Sequence, residues 1–275
     1  MHGLFSFNLT PSNPEDYAGL AAIVLLPLVG AIVNGFFGRR LSRAQVHAIG
    51  VGVVVAAFAL ALVAVVQLAF ARAASHGDAR LVQTLYTWFR LPIAGGEAID
   101  LPVELVLDPL SAVMVLVVTG VGALIHVYSM GYMADDPGYA RYFAYLNLFT
   151  FSMLLLVTAG NLAVMFVGWE GVGLCSYLLI GFWFTDREKA AAGKKAFIVN
   201  RIGDFGFLLG IFLIASTAST VDLGRLPTHL TLFRQPWHFG LSIGDAAALL
   251  LFVGVCGKSA QIPLYVWLPD AMAGP

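Results

Sequence analysis

Four ionisable residues stand inside apolar runs where charge is costly: Glu170, Arg201, Asp204 and Lys258. Glu170 is the clearest case. It is the single carboxylate in AVMFVGWEGVGLCSYLLIGFWF, Ala163 to Phe184, a stretch long enough to cross a bilayer. A hydrocarbon core about 30 Å thick takes roughly 20 apolar helical residues to span. A charge in the middle of such a run costs about 2.5–3.5 kcal/mol even on the lenient insertion scale. Residues that carry this cost mark ion pathways, proton relays or buried partners. Burial penalises the charged form of an acid or a base, and a neighbouring opposite charge favours it. At about 4 Å and an effective dielectric near 20, two unit charges interact by about 4 kcal/mol. A lysine that moves toward or away from a carboxylate can therefore load and release a proton. Glu170 and Lys258 are the expected pair. An interhelix strut made by the same two residues is the alternative.

Composition sets the solvent. Of 275 residues, 59% are hydrophobic and 11% charged, against about 25% charged in soluble domains; mean hydropathy is +0.85. The chain is read as an all-α polytopic membrane protein. A net charge of -1 gives no case for nucleic acid. Cys175 and Cys256 lie in apolar runs without metal spacing and read as buried thiols. No GxGxxG after a strand, Walker loop or iron–sulfur cysteine set is present, so no cofactor and no metal is assigned.

Seven apolar runs position the charges: Tyr17–Phe37, Gln45–Phe70, Leu110–Tyr132, Tyr142–Ala159, Leu162–Phe184, Ala196–Thr217 and Ile243–Trp267. The segment before the first carries Glu15 and Asp16 rather than a basic region, and that first run is too long for a signal peptide. With the N-terminus outside, the short inside loops hold Arg39, Arg40, Arg43, Arg141, Arg187, Lys189, Lys194 and Lys195; the outside loops hold Arg72, Arg80, Arg90, Arg225 and Arg234. The excess of positive charge inside supports that orientation. The outside loop at 72–109 contains TLYTWF and VELVL, which are expected to pair as a β-hairpin.

Counting about 1.5 Å per residue puts Glu170 roughly 12–14 Å from the outer surface and Asp204 roughly 12–14 Å from the inner one. Lys258 falls roughly 21–23 Å from the outer surface by the same rise. The seventh run is expected to break at Lys258. Pro263 clashes with the carbonyl of Ser259, and Gly254 and Gly257 weaken the same turn. Freed backbone groups at membrane depth need protein or water, so a wet pocket around Lys258 is expected. Arg201 and Asp204, three apart on one helix, can relay charge or neutralise each other. His126 reads as a hydrogen-bonded packing residue. Gly203, Gly206 and Gly210 are assigned to close helix packing, and Trp169 with the other tryptophans to packing or the membrane interface. The chain ends in LPDAMAGP without a polar tail, and is read as the front part of a longer protein.

The runs VVTGVGALIHVYSMGYM, YARYFAYLNLF, LLVTAGNLAVMFVGWEGVGLCSYLLIGFWF, KAFIVNRIGDFGFLLGIF and GKSAQIPLYVWLPDAMAGP resemble the antiporter-like L subunit of bacterial respiratory complex I, the proton-pumping NADH–quinone oxidoreductase. The resemblance implies a truncated part of an inverted-repeat antiporter-like fold. Residues 1–140 would hold the first three helices with the external loop, and 141–275 an incomplete first repeat. It implies that Glu170 pairs with Lys258, and that Arg201 and Asp204 lie on the same proton path. It further implies a multi-pass protein of the bacterial inner membrane, partnered by other membrane-arm subunits, with NADH and quinone bound elsewhere in the assembly. Two other functions fit the same residues: the large subunit of a multisubunit Na+/H+ antiporter, and a passive scaffold of a membrane arm.

Overall fold

Backbone hydrogen bonds cannot be left to lipid, so nearly every apolar run forms a helix. The computed structural model describes residues 16–77, 79–91 and 99–275; Glu15 and residues 92–98 lie outside the described residues. The helices are α1 (Leu20–Phe37), α2 (Arg43–Ala74), α3 (Pro109–Tyr132), α4 (Tyr139–Val157), α5 (Leu162–Ile180), α6 (Arg187–Ala218), a single turn α7 (Leu230–Phe233) and α8 (Ile243–Lys258). The first six are long and apolar enough to cross a membrane.

Side chains cap several of these helices and so fix where they begin. Ser42 with Gln45, Asp108 with Ser111, and Ser242 with Asp245 make reciprocal pairs at the starts of α2, α3 and α8. Asn161 accepts from the amides of Ala163 and Val164 to open α5, and Asp186 accepts from that of Glu188 to open α6. At 32 residues α6 is about 48 Å long. It exceeds the expected run because its first nine residues, carrying Arg187, Lys189, Lys194 and Lys195, are polar but helical.

The chain forms two compact units. The first comprises α1–α4 with the base of the β-hairpin. Its core gathers Leu20, Ile23 and Val24 of α1, Ala61, Ala64 and Leu68 of α2, Val115 of α3 and Leu154 of α4. A polar node sits among its helices. Asn34 donates to the carbonyl of Val46 at 3.2 Å, and Asn147 to that of Gly50 at 2.9 Å. His126 Nδ1 lies 2.7 Å from the carbonyl oxygen of Gly122. A carbonyl only accepts, so Nδ1 carries the hydrogen, and Nε2 accepts from Asn147 at 3.1 Å. His126 thus joins α3 to α4 as a packing residue.

The β-hairpin is as expected and longer. It pairs β1 (Leu81–Leu91) with β2 (Ile99–Leu107). Thr84 meets Glu104, and Arg90 meets Asp100, so the strands are antiparallel.

The second unit comprises α5–α8 and the segment that follows, with residues 87–102 of the hairpin. Here α6 packs on both α5 and α8. The α6–α8 contact is glycine on glycine: a Cβ at Gly203 would stand 3.0 Å from the Cα of Gly257, and one at Gly206 2.7 Å from Val253 Cγ1. Small residues let two backbones approach in this way when lipid supplies no hydrophobic drive.

The seventh apolar run departs from its expected length. α8 has 16 residues, about 24 Å, and stops at Lys258 instead of reaching Trp267. Beyond it come turns and a 3-10 helix, Pro269–Ala273. The run is therefore a broken helix, too short to span by itself. We expect Gly203→Ala to push α6 from α8 and destabilise the protein by about 1–3 kcal/mol. A thermal melt of the detergent-solubilised protein, with Gly52→Ala as a control in open space, checks this.

Candidate functional site

All four charges singled out from the apolar runs fall in the second unit, on α5, α6 and α8; Asp204 is buried and the others are partly so. The helix end that presents Lys258 is built from its own backbone. Ala260 is left-handed at φ 51°. The amide of Gln261 reaches back to the carbonyl of Cys256 at 2.9 Å, and that of Ala260 to Gly257 at 3.3 Å. These two bonds are a Schellman closure, with alanine where glycine is usual. The indole N–H of Trp267 also donates to the carbonyl of Gly257, at 3.0 Å. Carbonyls that a continuous helix would have bonded are so satisfied by the chain that follows.

The ion pairs are crossed relative to the sequence expectation. Glu170 pairs with Arg201, not with Lys258. Lys258 Nζ lies 3.6 Å from Asp204 Oδ2. Arg201 and Asp204 do not neutralise each other: one turn apart on α6, each takes a partner from another helix. The reason for the crossing lies on α5. Gly173, one turn after Glu170, leaves a gap that the lysine fills; a Cβ there would be 2.5 Å from Nζ. The ammonium therefore sits beside the helix that carries Glu170 while facing Asp204.

Burial grades the two pairs. The Asp204 side chain is 4% exposed and that of Lys258 17%, whereas Arg201 is 41% exposed. Arg201 also stacks its guanidinium 4.5 Å from the Phe197 ring centroid. Lys258 Nζ stands at the outer edge of hydrogen-bond range from Asp204, so their attraction is chiefly electrostatic. Asp204 Oδ1, by contrast, accepts the indole N–H of Trp169 at 2.5 Å. Such a site sets one amine, on a flexible stem, against a carboxylate fixed from its other side.

Two contributors were not singled out from sequence. Trp169 was assigned to packing or the interface, yet it touches Asp204; its place next to Glu170 was the available signal. Gly173 left no signal beyond its small size one turn from a buried acid. Among the described residues no cluster of His, Cys, Asp or Glu suits a metal ion.

Apolar helices, ion pairs linking them and a helix broken at a lysine define a class: a polytopic membrane protein of antiporter-like fold. Residues 159–275 match the family described as NADH:quinone oxidoreductase/Mrp antiporter, transmembrane region. Residues 93–143 match that described as NADH-ubiquinone oxidoreductase (complex I), chain 5 N-terminus. The chain is a homologue of NADH-quinone oxidoreductase subunit L. It is 45% identical to that subunit of Mycobacterium tuberculosis over 267 residues, covering 97% of this chain and 40% of the relative. It is 44% identical to the Escherichia coli subunit, covering 93% and 40%. NADH-ubiquinone oxidoreductase chain 5 of Marchantia polymorpha is 39% identical, with 92% and 37% covered. The chain thus spans about 40% of the length of the curated relatives it matches. Among solved structures, the Mrp complex from Dietzia sp. DQ12-45-1b aligns with a TM-score of 0.71 at 25% identity, over 93% of this chain and 25% of that one. The archaeal membrane-bound sulfane sulfur reductase shares the fold, with a TM-score of 0.73 at 19% identity over 93% and 48%.

We expect Gly173→Ala to displace the ammonium and open the Lys258–Asp204 pair. The Nζ–Oδ2 separation, measured by cryo-EM of the full-length protein in its assembly, should lengthen beyond ion-pair range of 4 Å.

Proposed function

We propose that the chain is part of a proton-translocating membrane-arm subunit of NADH–quinone oxidoreductase in the bacterial inner membrane. Other membrane-arm subunits are its partners, and NADH and quinone bind elsewhere in that assembly. Residues 141–275 are read as an incomplete antiporter-like repeat. The observation that carries the proposal is the Lys258 amine, buried at a broken helix end and facing the Asp204 carboxylate at 3.6 Å. The identity to L subunits supports the same reading.

Glu170, Arg201, Asp204 and Lys258 are read as the relay. With Asp204 near, protonated Lys258 is stabilised; at about 4 Å and a dielectric near 20 that stabilisation is about 4 kcal/mol. Moving the amine from Asp204 removes most of it and favours release. At a factor of ten per about 1.4 kcal/mol, the swing approaches a thousandfold in proton occupancy. Arg201, a fixed cation, is the partner of the Glu170 carboxylate. The amine is on a flexible four-carbon stem, so the movement needs no rearrangement of α5 or α6.

The second reading, the large subunit of a multisubunit Na+/H+ antiporter, is favoured by the fold match to the Mrp complex. The two readings part on the ion: proton pumping that persists without sodium selects the first.

In the full assembly, Glu170→Gln and Lys258→Ala should each lower protons pumped per electron pair severalfold. Normal pumping by both variants in a fully assembled complex selects a passive scaffold. Lys258→Arg should be as damaging as the alanine variant, since guanidinium does not release its proton. Proton uptake in inverted membrane vesicles reads both.

A further inference from the structure

Asp204 receives its two partners on different oxygens. Oδ1 takes the Trp169 indole N–H at 2.5 Å, and Oδ2 faces Lys258 Nζ at 3.6 Å. The two partners differ in kind. An indole N–H donates only and keeps its hydrogen, whereas an ammonium gives one up. The indole is also immobilised. It stacks on Phe207, one turn beyond Asp204 on α6, with centroids 4.5 Å apart and planes 16° from parallel. Phe166 stacks on the same phenyl ring at 6.2 Å. So α5 holds the carboxylate through a rigid donor, while α8 holds it through a mobile one.

The indole has a second relation to the lysine. Lys258 Nζ lies 5.7 Å from the Trp169 ring centroid, inside the range at which an aromatic face attracts a cation. The amine therefore borders both the carboxylate and the ring of the residue that orients the carboxylate.

We infer that Trp169 is a positioning residue for Lys258: its N–H locks the rotamer of Asp204 so that the second oxygen meets the amine, and its ring face borders the amine as that ion pair opens. This rests on the relay reading given above. When the lysine moves off, Trp169 remains the partner of a carboxylate that is 3% exposed. Without that donor a departing amine would leave the buried charge without a hydrogen bond, and Lys258 would be held in place. The tryptophan thus keeps the lysine free to leave.

The test is a double-mutant cycle on proton pumping per electron pair in the full assembly, with Trp169→Phe, Asp204→Asn and the two combined. Phenylalanine keeps the stack on Phe207 and removes the donor. A second variant places benzothienylalanine at 169, which replaces only the N–H by sulfur. Assembly is checked for each by native electrophoresis.

Losing a hydrogen bond to a charged group shifts the balance of lysine positions about tenfold or more. Trp169→Phe and the sulfur isostere should therefore both lower pumping severalfold. The combined variant should pump no worse than Asp204→Asn alone, because Trp169 acts through Asp204. Independently, the indole N–H Raman band of Trp169, isolated as the wild type minus Trp169→Phe difference, should move toward a weaker hydrogen bond in Asp204→Asn. Losses that multiply in the combined variant, an isostere that pumps like the wild type, or an unmoved band would each overturn the inference. Should Trp169→Phe fail to assemble, the isostere carries the test. Wild-type pumping by Asp204→Asn would instead overturn the relay reading beneath it.

Discussion

A charge inside hydrocarbon must find an opposite charge or a donor, and the second unit is arranged around that requirement. Two carboxylates and two cations are distributed over three helices, so that no helix neutralises itself. Glu170 of α5 meets Arg201 of α6, and Asp204 of α6 meets Lys258 of α8. Each pair ties two helices together. The pairs differ in mobility because their cations differ. The guanidinium is stacked on Phe197, while the ammonium is on a flexible stem at the outer edge of hydrogen-bond range.

Close packing serves that electrostatics. The glycine contact between α6 and α8 brings the two backbones together at Gly203 and Gly257. Those residues immediately precede Asp204 and Lys258 in the chain. The ion pair therefore stands beside a close approach of the two helices. Gly173 supplies the remaining space on α5. A Cβ at Gly203 or Gly257 would meet backbone and part the helices, whereas one at Gly173 would meet the amine itself.

Much of this was readable from residue types. Long apolar runs gave the helices because lipid leaves the backbone no other choice, and single charges in those runs marked the site. The break at Lys258 followed from Pro263 and the neighbouring glycines. The partners were less legible. Four charges on three helices admit more than one pairing, and spacing along a chain says nothing about rotation between helices. The choice was made by Gly173 and Trp169, whose influence is steric or through an indole N–H and carries no charge to notice. The seventh run was overextended for a related reason: Leu264, Tyr265, Val266 and Trp267 are apolar, but they follow a closed helix end rather than continue it.

Trp267 shows what that ending entails. Its indole is bonded to the carbonyl of Gly257, the residue before Lys258. It is buried in a cluster with Ile180, Ala192 and Ala196. Two residues further on, the 3-10 helix begins, and its Asp270 grips Lys195 on α6 at 2.7 Å. The stretch after the break is thus a tether with one end at the polar start of α6 and the other beside the buried amine. Loosening the Asp270–Lys195 contact would therefore bear on the turn that seats the Lys258 side chain.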